Sequence, residues 1–378
     1  MNTTHRIAEL RRFMEEGGIA LSLITNADNQ FYVSGFRAVI YSRPIDYVLS
    51  TDKSMLIVPG LEEAHANREA SVDEVLVYYE HPELADRGKT HLDHLDRIVG
   101  RLPMASKVGI EEGSAPYGLV EHLKAAGLEP VDIGQKIKEM RFVKDEAEIE
   151  LMIEAGRLVS LALRASLEAL RPGISEIELD ADGTGALFAE VAARHPGATL
   201  DFFVMSPSGI ERTVMPHVFS NTRRLEAGDV LIHSRQVALN GYRGECERTC
   251  FVGRPRADQE RAFKVAEEAQ RAALDVIRPG IPMNEVDRTA REVIRKAGFA
   301  EYFIHRTGHG LGISSHEEPY LRFDEDMAVR EGMAFSIEPA FNVPGLGGYR
   351  HSDTVVLTHG GKIMTTDYPH DLESLVFQ

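Results

Sequence analysis

The stretch NGYRGECERTCFVG, residues 240–253, sets two carboxylates, Glu245 and Glu247, and two thiols, Cys246 and Cys250, into six positions of what reads as a β-strand. Residues i and i+2 of a strand share a face, so Glu245 and Glu247 point one way and Cys246, Arg248 and Cys250 the other. Two acids on one face of a buried strand are costly without a counter-charge. They suit a metal ion, or a substrate that offers N–H groups. Further polar residues lie among apolar segments downstream: His217 in MPHVFSNTRRL, His309 and His316 in RTGHGLGISSHEEP, and Glu338 in SIEPAF. A single loop histidine is ordinarily a hydrogen-bonded surface residue, whereas a glutamate inside an apolar strand is harder to dismiss. The glycines on both sides of His309 would let backbone approach a bound group closely. Buried packing is the simpler role for both cysteines.

The elements that must position these groups are legible from periodicity. Residues 3–16 read as an amphipathic helix with Ile7, Leu10 and Met14 on one face. ALSLIT reads as a buried strand, PIDYVLST and SMLIVP as a strand pair, and VDEVLVYY and KVGIEEG as further strands. This α/β domain ends near residue 140, before a long helical pattern. An internal echo follows: RPGISEIELD at 171–180 and RPGIPMNEVD at 278–287, each between two helical runs. Copies 107 residues apart are too distant for a solenoid, and fit two pseudo-symmetric αβ halves. The strands DVLIHSRQVAL, YRGECERTCFVG, GMAFSIEPAF and SDTVVLT would make a largely antiparallel sheet.

A chain of 378 residues with 43% hydrophobic content supports two domains with a sizeable core. The formal net charge of −17 argues against nucleic acid or an anionic membrane as partner, though not against a small anion in a cleft. The two cysteines, four apart on one strand, are separated by roughly 13 Å, too far for a bridge. No signal-peptide core and no run of 18 apolar residues is present, so a soluble cytoplasmic protein is expected.

Five segments in order, HVFSNTRRLEAGD, NGYRGECERT, RTGHGLGISSHEEP, EGMAFSIEPAF and GYRHSDTVVLT, resemble the methionine aminopeptidase, prolidase and creatinase superfamily. The resemblance implies an α/β (α+β) chain: a creatinase-like N-terminal α/β domain over 1–140, then a pseudo-two-fold pita-bread catalytic domain over 141–378 with a curved, largely antiparallel sheet. Metal-dependent members hold two ions with two aspartates, a histidine and two glutamates. Carried over by position, these fall at Ser234, Glu245, His309, Glu338 and Ser352. Two serines in place of carboxylates make a dinuclear site unfavourable. Glu245, His309 and Glu338 suffice for one divalent ion, manganese, zinc or iron, and His233 is a neighbour of Ser234 that faces the other way.

The nearer resemblance is to creatinase, which works without metal. It implies that Arg43, in SGFRAVIYSRP, grips a substrate carboxylate and that Glu247 and Glu338 hold a guanidinium-like group, while Tyr41 would shape the substrate end of the pocket. Tyr320 stands where creatinase has a second carboxylate-binding arginine, with Arg322 two residues on, and Glu245 is an extra acid, so creatine itself is not the expected substrate. The residue assignment is then His217, His316, Glu247 and Glu338 as catalytic, and Arg43, Tyr41, His309, Glu245 and Arg322 as substrate-binding. Outside the family match, Arg43 equally suits a plain salt bridge. The favoured expectation is a homodimeric, metal-free hydrolase of an amide, amidine or guanidine C–N bond in a small carboxylate-bearing substrate. The alternatives are a metal-dependent Xaa-Pro dipeptidase or aminopeptidase, and a pita-bread protein that binds a partner without catalysis.

Overall fold

The computed structural model describes residues 3–378 and divides into two units, the first ending at Arg141 and the second running from Phe142 to Gln378. The first unit is built on a six-stranded sheet of β1 (Ile19–Ile24), β2 (Asp46–Ser50), β3 (Ser54–Pro59), β4 (Glu74–Tyr78), β5 (Lys107–Ile110) and β6 (Glu129–Asp132). Their order is β4-β3-β2-β1-β5-β6, with β2 antiparallel to both neighbours and the outer pairs parallel. The near-continuous apolar runs of β1 and β3 are what a strand covered on both faces requires. The helix Thr4–Gly17 buries Leu10 and Met14, but its third buried residue is Arg6 rather than Ile7. The Arg6 guanidinium lies 4.1 Å over the Tyr32 ring and donates to the Tyr32 carbonyl, which makes its burial tolerable.

The second unit carries a nine-stranded sheet. Its main path is β11 (Glu317–Leu321), β10 (Gly308–Gly310), β12 (Ala334–Ile337), β15 (Ser352–Thr358), β9 (Tyr242–Val252), β8 (Val230–Leu239) and β7 (Leu200–Met205), all antiparallel. Strands β16 (Gly361–Met364) and β17 (Val376–Phe377) pair with β15 and β9, and β13 (Ala340–Val343) with β14 (Gly347–Arg350) forms a separate ribbon. Asn240 and Gly241, both at positive φ, close the β8–β9 hairpin in two residues. That turn fixes the register that sets Ser234 opposite Glu247 and Gln236 opposite Glu245.

The echoed segments join the helices Glu146–Glu168 to Glu176–Arg194 and Ala257–Val276 to Met283–Lys296. Their shared aspartates do the same work twice. Asp180 accepts from Ser206 Oγ, just past β7, and Asp287 accepts from Thr307 N and Oγ1, just before β10. Each helix pair is thereby pinned to a strand end of its own half. Among the described residues no helix is long and apolar enough to cross a membrane.

Candidate active site

A cavity of about 490 Å³ opens on the second unit's sheet, with Glu245, Glu247, Glu338, His217 and His316 in its lining. Strand β9 presents both glutamates to it, and its 11 residues are buried along their whole length. Ser234, Glu247 and Ser352 form one cross-strand row on β8, β9 and β15. Ser234 Oγ donates to Glu247 Oε1; Ser336 and Ser352 both donate to Glu245 Oε1; Gln236 Nε2 donates to Glu245 Oε2. Arg350, at the end of β14, brings its guanidinium 2.5 Å from Glu247 Oε2 and 3.5 Å from Glu338 Oε2.

His309 is fully buried on β10. The glycines around it serve the sheet rather than a ligand. A Cβ on Gly308 would lie 2.2 Å from the Ser336 carbonyl oxygen, and one on Gly310 would lie 2.7 Å from that of Glu317. The His309 Nδ1 lies 2.9 Å from the Gly310 carbonyl oxygen, which assigns one proton to Nδ1 and leaves Nε2 as the nitrogen that can give up its proton to bind an ion. Nε2 has no hydrogen-bond partner. It faces Glu338 Oε1 at 3.4 Å and Glu245 Oε2 at 3.9 Å.

Burial pushes the Glu247 carboxyl up to about 8 despite Arg350, with Glu245 and Glu338 adding repulsion. Burial opposes ionisation of Glu338 as well, but His309 and Arg350 more than offset it and hold that carboxyl well below its usual range. Burial alone would depress His309; the Glu338 contact and the Glu245 charge instead lift it to about 8. His316, 4.1 Å from His309 ring to ring, is pushed down to about 4 by burial and by the His309 charge, and is neutral at neutral pH.

The donor set decides what ion the cavity can take. Two ions do not fit. Ser234 and Ser352 supply hydroxyls already donated to Glu247 and Glu245, and Arg350 already puts positive charge between Glu247 and Glu338. One ion is the better fit: His309 Nε2 has no hydrogen-bond partner and lies 3.4 Å from Glu338 and 3.9 Å from Glu245, and Glu245, Glu247 and Glu338 bring carboxylate oxygens together. His316 can join Glu245 and His309 in such a group.

Among the residues singled out from the sequence, His217, Glu245, Glu247, His316 and Glu338 line the cavity and His309 packs against them. Arg322 does not join them. Its guanidinium is half exposed and paired with Asp324, the nearest carboxylate along its own turn. Arg43 and Tyr41 belong to the first unit, where Arg43 Nε donates to Glu80 at 2.6 Å and the Tyr41 hydroxyl accepts from Ala38 N. His233 faces away from the cavity; burial and Arg235 hold it neutral, and its nitrogens meet Ser206 and Arg235. Arg350, Arg306, Gln236 and His305 also line the cavity and were not read from the sequence. Arg350 had a signal, since it lies two residues before Ser352 in GYRHSD.

Residues 150–359 match the metallopeptidase family M24, and residues 6–143 match the creatinase/prolidase N-terminal domain. The chain belongs to metallopeptidase family M24. It is 30% identical to the Xaa-Pro dipeptidase of Pyrococcus furiosus, over 97% of this chain and 99% of that protein. Its structure is similar to the prolidase of Pyrococcus horikoshii OT3 (TM-score 0.86, 28% identity, covering 97% and 99% of the two chains). It is equally similar in extent to the prolidase of Thermococcus sibiricus (TM-score 0.88, 27% identity, all of both chains). M24 membership establishes the pita-bread fold and places the chain among hydrolases of C–N bonds. It also weighs against the metal-free expectation. The M24 match and the carboxylate–histidine cluster favour a divalent ion over none.

Proposed function

We propose that this protein hydrolyses the peptide bond of small peptides, of the Xaa-Pro kind, with one divalent ion on Glu245, His309 and Glu338. The observation that carries the reading is the buried, unpartnered Nε2 of His309 facing two carboxylates in the cavity of an M24 chain. The names of the relatives over the full length support the substrate class. A bound ion supplies Lewis acidity toward a carbonyl and acidifies water. The chain's own groups do the rest. Glu245 is held by three donors and Glu338 by Arg350, so neither carboxylate swings. Neutral His316 offers an N–H to a developing oxyanion. Glu247, whose carboxyl burial pushes up to about 8, and exposed His217 are placed to pass a proton toward a leaving nitrogen. In this reading the protein works as a homodimer, which light scattering would check.

Ser234, Ser352 and the Arg350 bridge favour one other reading, a metal-free hydrolase of an amidine or guanidine. Elemental analysis after dialysis against chelator separates the two, with turnover of an Xaa-Pro dipeptide and of creatine-like and cyclic amidine compounds. The expected result is about one equivalent of manganese, zinc or iron before chelation, and activity lost with it. Turnover that survives chelation without bound metal would establish the metal-free reading.

A further inference from the structure

We propose that Arg306, stacked on Tyr320, is the anchor for the substrate's carboxylate. The inference rests on the cavity being the site of a small-peptide hydrolase. Such a substrate brings its own carboxylate toward a floor of three glutamates, and needs a fixed cation away from them. Two arginines line the cavity, Arg306 and Arg350. Arg350 is engaged with Glu247 and Glu338. Arg306 has no carboxylate partner among the described residues, and its buried Nε makes no hydrogen bond.

Its position is built. The guanidinium carbon lies 4.0 Å over the Tyr320 ring. Stacking takes up the face of the planar group and leaves its edge N–H donors for a two-oxygen acceptor. Tyr320 sits opposite His309 in the β10–β11 register, so the platform is tied to the strand that carries the ion ligand. The backbone on both sides of Arg306 is clamped: Arg291 donates to the His305 carbonyl, and Asp287 accepts from Thr307 N and Oγ1. Arg306 also helps depress both His305 and His316, so its charge reaches the centre of the cavity. A dipeptide seated this way has its scissile bond over the glutamates and its terminal carboxylate on the arginine.

The test compares Ala-Pro with its C-terminal amide on the ion-loaded enzyme, wild type against Arg306→Gln. The one charge-assisted hydrogen bond that the amide cannot accept corresponds to about a ten- to hundred-fold preference for the acid. The wild type is expected to show that preference in kcat/KM, through KM, and Arg306→Gln to lose it, turnover of the acid falling far more than that of the amide. Arg306→Lys, which keeps the charge without the fork, should recover part of it, and guards against a variant that simply misfolds. A preference retained by Arg306→Gln overturns the assignment and leaves the peptidase reading standing. Should the wild type turn over neither peptide, the peptidase reading falls. Titration calorimetry of the chelated protein with the same two peptides then decides Arg306: acid bound tighter than amide only when Arg306 is present supports it, and equal or absent binding overturns it.

Discussion

On one face of β9, Arg248 donates to both oxygens of Asp353 and to the carbonyls of Ser352, Tyr368 and Pro369. Asp353 also accepts from Gln270 and Thr366. On the other face, Glu247 Oε2 and Arg350 Nε approach to 2.5 Å without the alignment of a hydrogen bond, and both atoms are otherwise unpartnered. The two pairs share a strand, a depth of burial and a charge type. They differ in whether the polar groups are used up. A saturated buried ion pair has no donor or acceptor left for a ligand, whereas unfilled buried donors and acceptors cost free energy and persist where a ligand completes them. The back of the strand is therefore structural and the front is the site.

The largest effect should come from the saturated face. Arg248→Met strands Asp353 in the core, and should cost about 3–5 kcal/mol in urea unfolding. A loss below about 1 kcal/mol would erase the distinction. On the front, Glu338→Gln keeps the shape and removes an ion ligand. Turnover should fall about 10²–10³-fold in protein that is still folded, with some loss of unfolding free energy at neutral pH because His309 and Arg350 lose the charge they hold. A variant that loses activity only by unfolding would place Glu338 with the structural groups.

Glu247 gives the comparison a pH signature. Its carboxyl titrates near 8 in the folded protein, above the 4.5 of an unperturbed glutamate. The folded state thus holds the proton longer. The wild type is unpenalised below about 4.5 and loses stability as pH rises toward 8. Glu247→Gln, which carries no such charge, should match the wild type at low pH and exceed it near pH 8 in chelated protein. Equal stability at both pH values would mean that Arg350 fully compensates the charge. A smaller effect is expected at Ser352, whose hydroxyl orients Glu245 from 2.8 Å. Ser352→Ala should weaken ion binding about tenfold, read by competition with a chelating dye, with stability little changed.

Much of this was legible in the chain because it is local. The alternation of ECERTC puts acids and thiols on opposite faces, and Arg-Pro-Gly-Ile marks each helix junction wherever the chain later goes. What escaped depends on partners far apart in sequence. Arg350 meets Glu247 only through the β14 turn and the β9–β15 register, over about a hundred residues. Arg306 and Tyr320 meet across the β10–β11 hairpin, where a bulge between His309 and Gly310 shifts the count. Arg322 stays out of the cavity lining for the converse reason, since it pairs with a local carboxylate, Asp324. The choice of metal is the hardest to read from residue types. A serine at a ligand position looks like a lost ligand, and only the structure shows its hydroxyl orienting the carboxylates that remain.

The smallest expected effect lies with the cysteines, and it sharpens the comparison because it should be no effect at all. Cys246 and Cys250 sit on the saturated face, wholly buried, and burial raises both thiols far above their ordinary range despite the nearby Arg248. The Cys246 sulfur lies 3.8 Å from Asp353 Oδ1, an acid that further disfavours the thiolate. A thiolate is the reactive form, so neither residue should react with a disulfide reagent such as Ellman's in the native protein. Both should titrate in denaturant, and Cys246→Ala/Cys250→Ala should keep full turnover. Rapid native labelling coupled to inactivation would mean that the back of β9 opens to solvent on the time scale of turnover. The division of the strand into a closed face and a working face would then fail at its root.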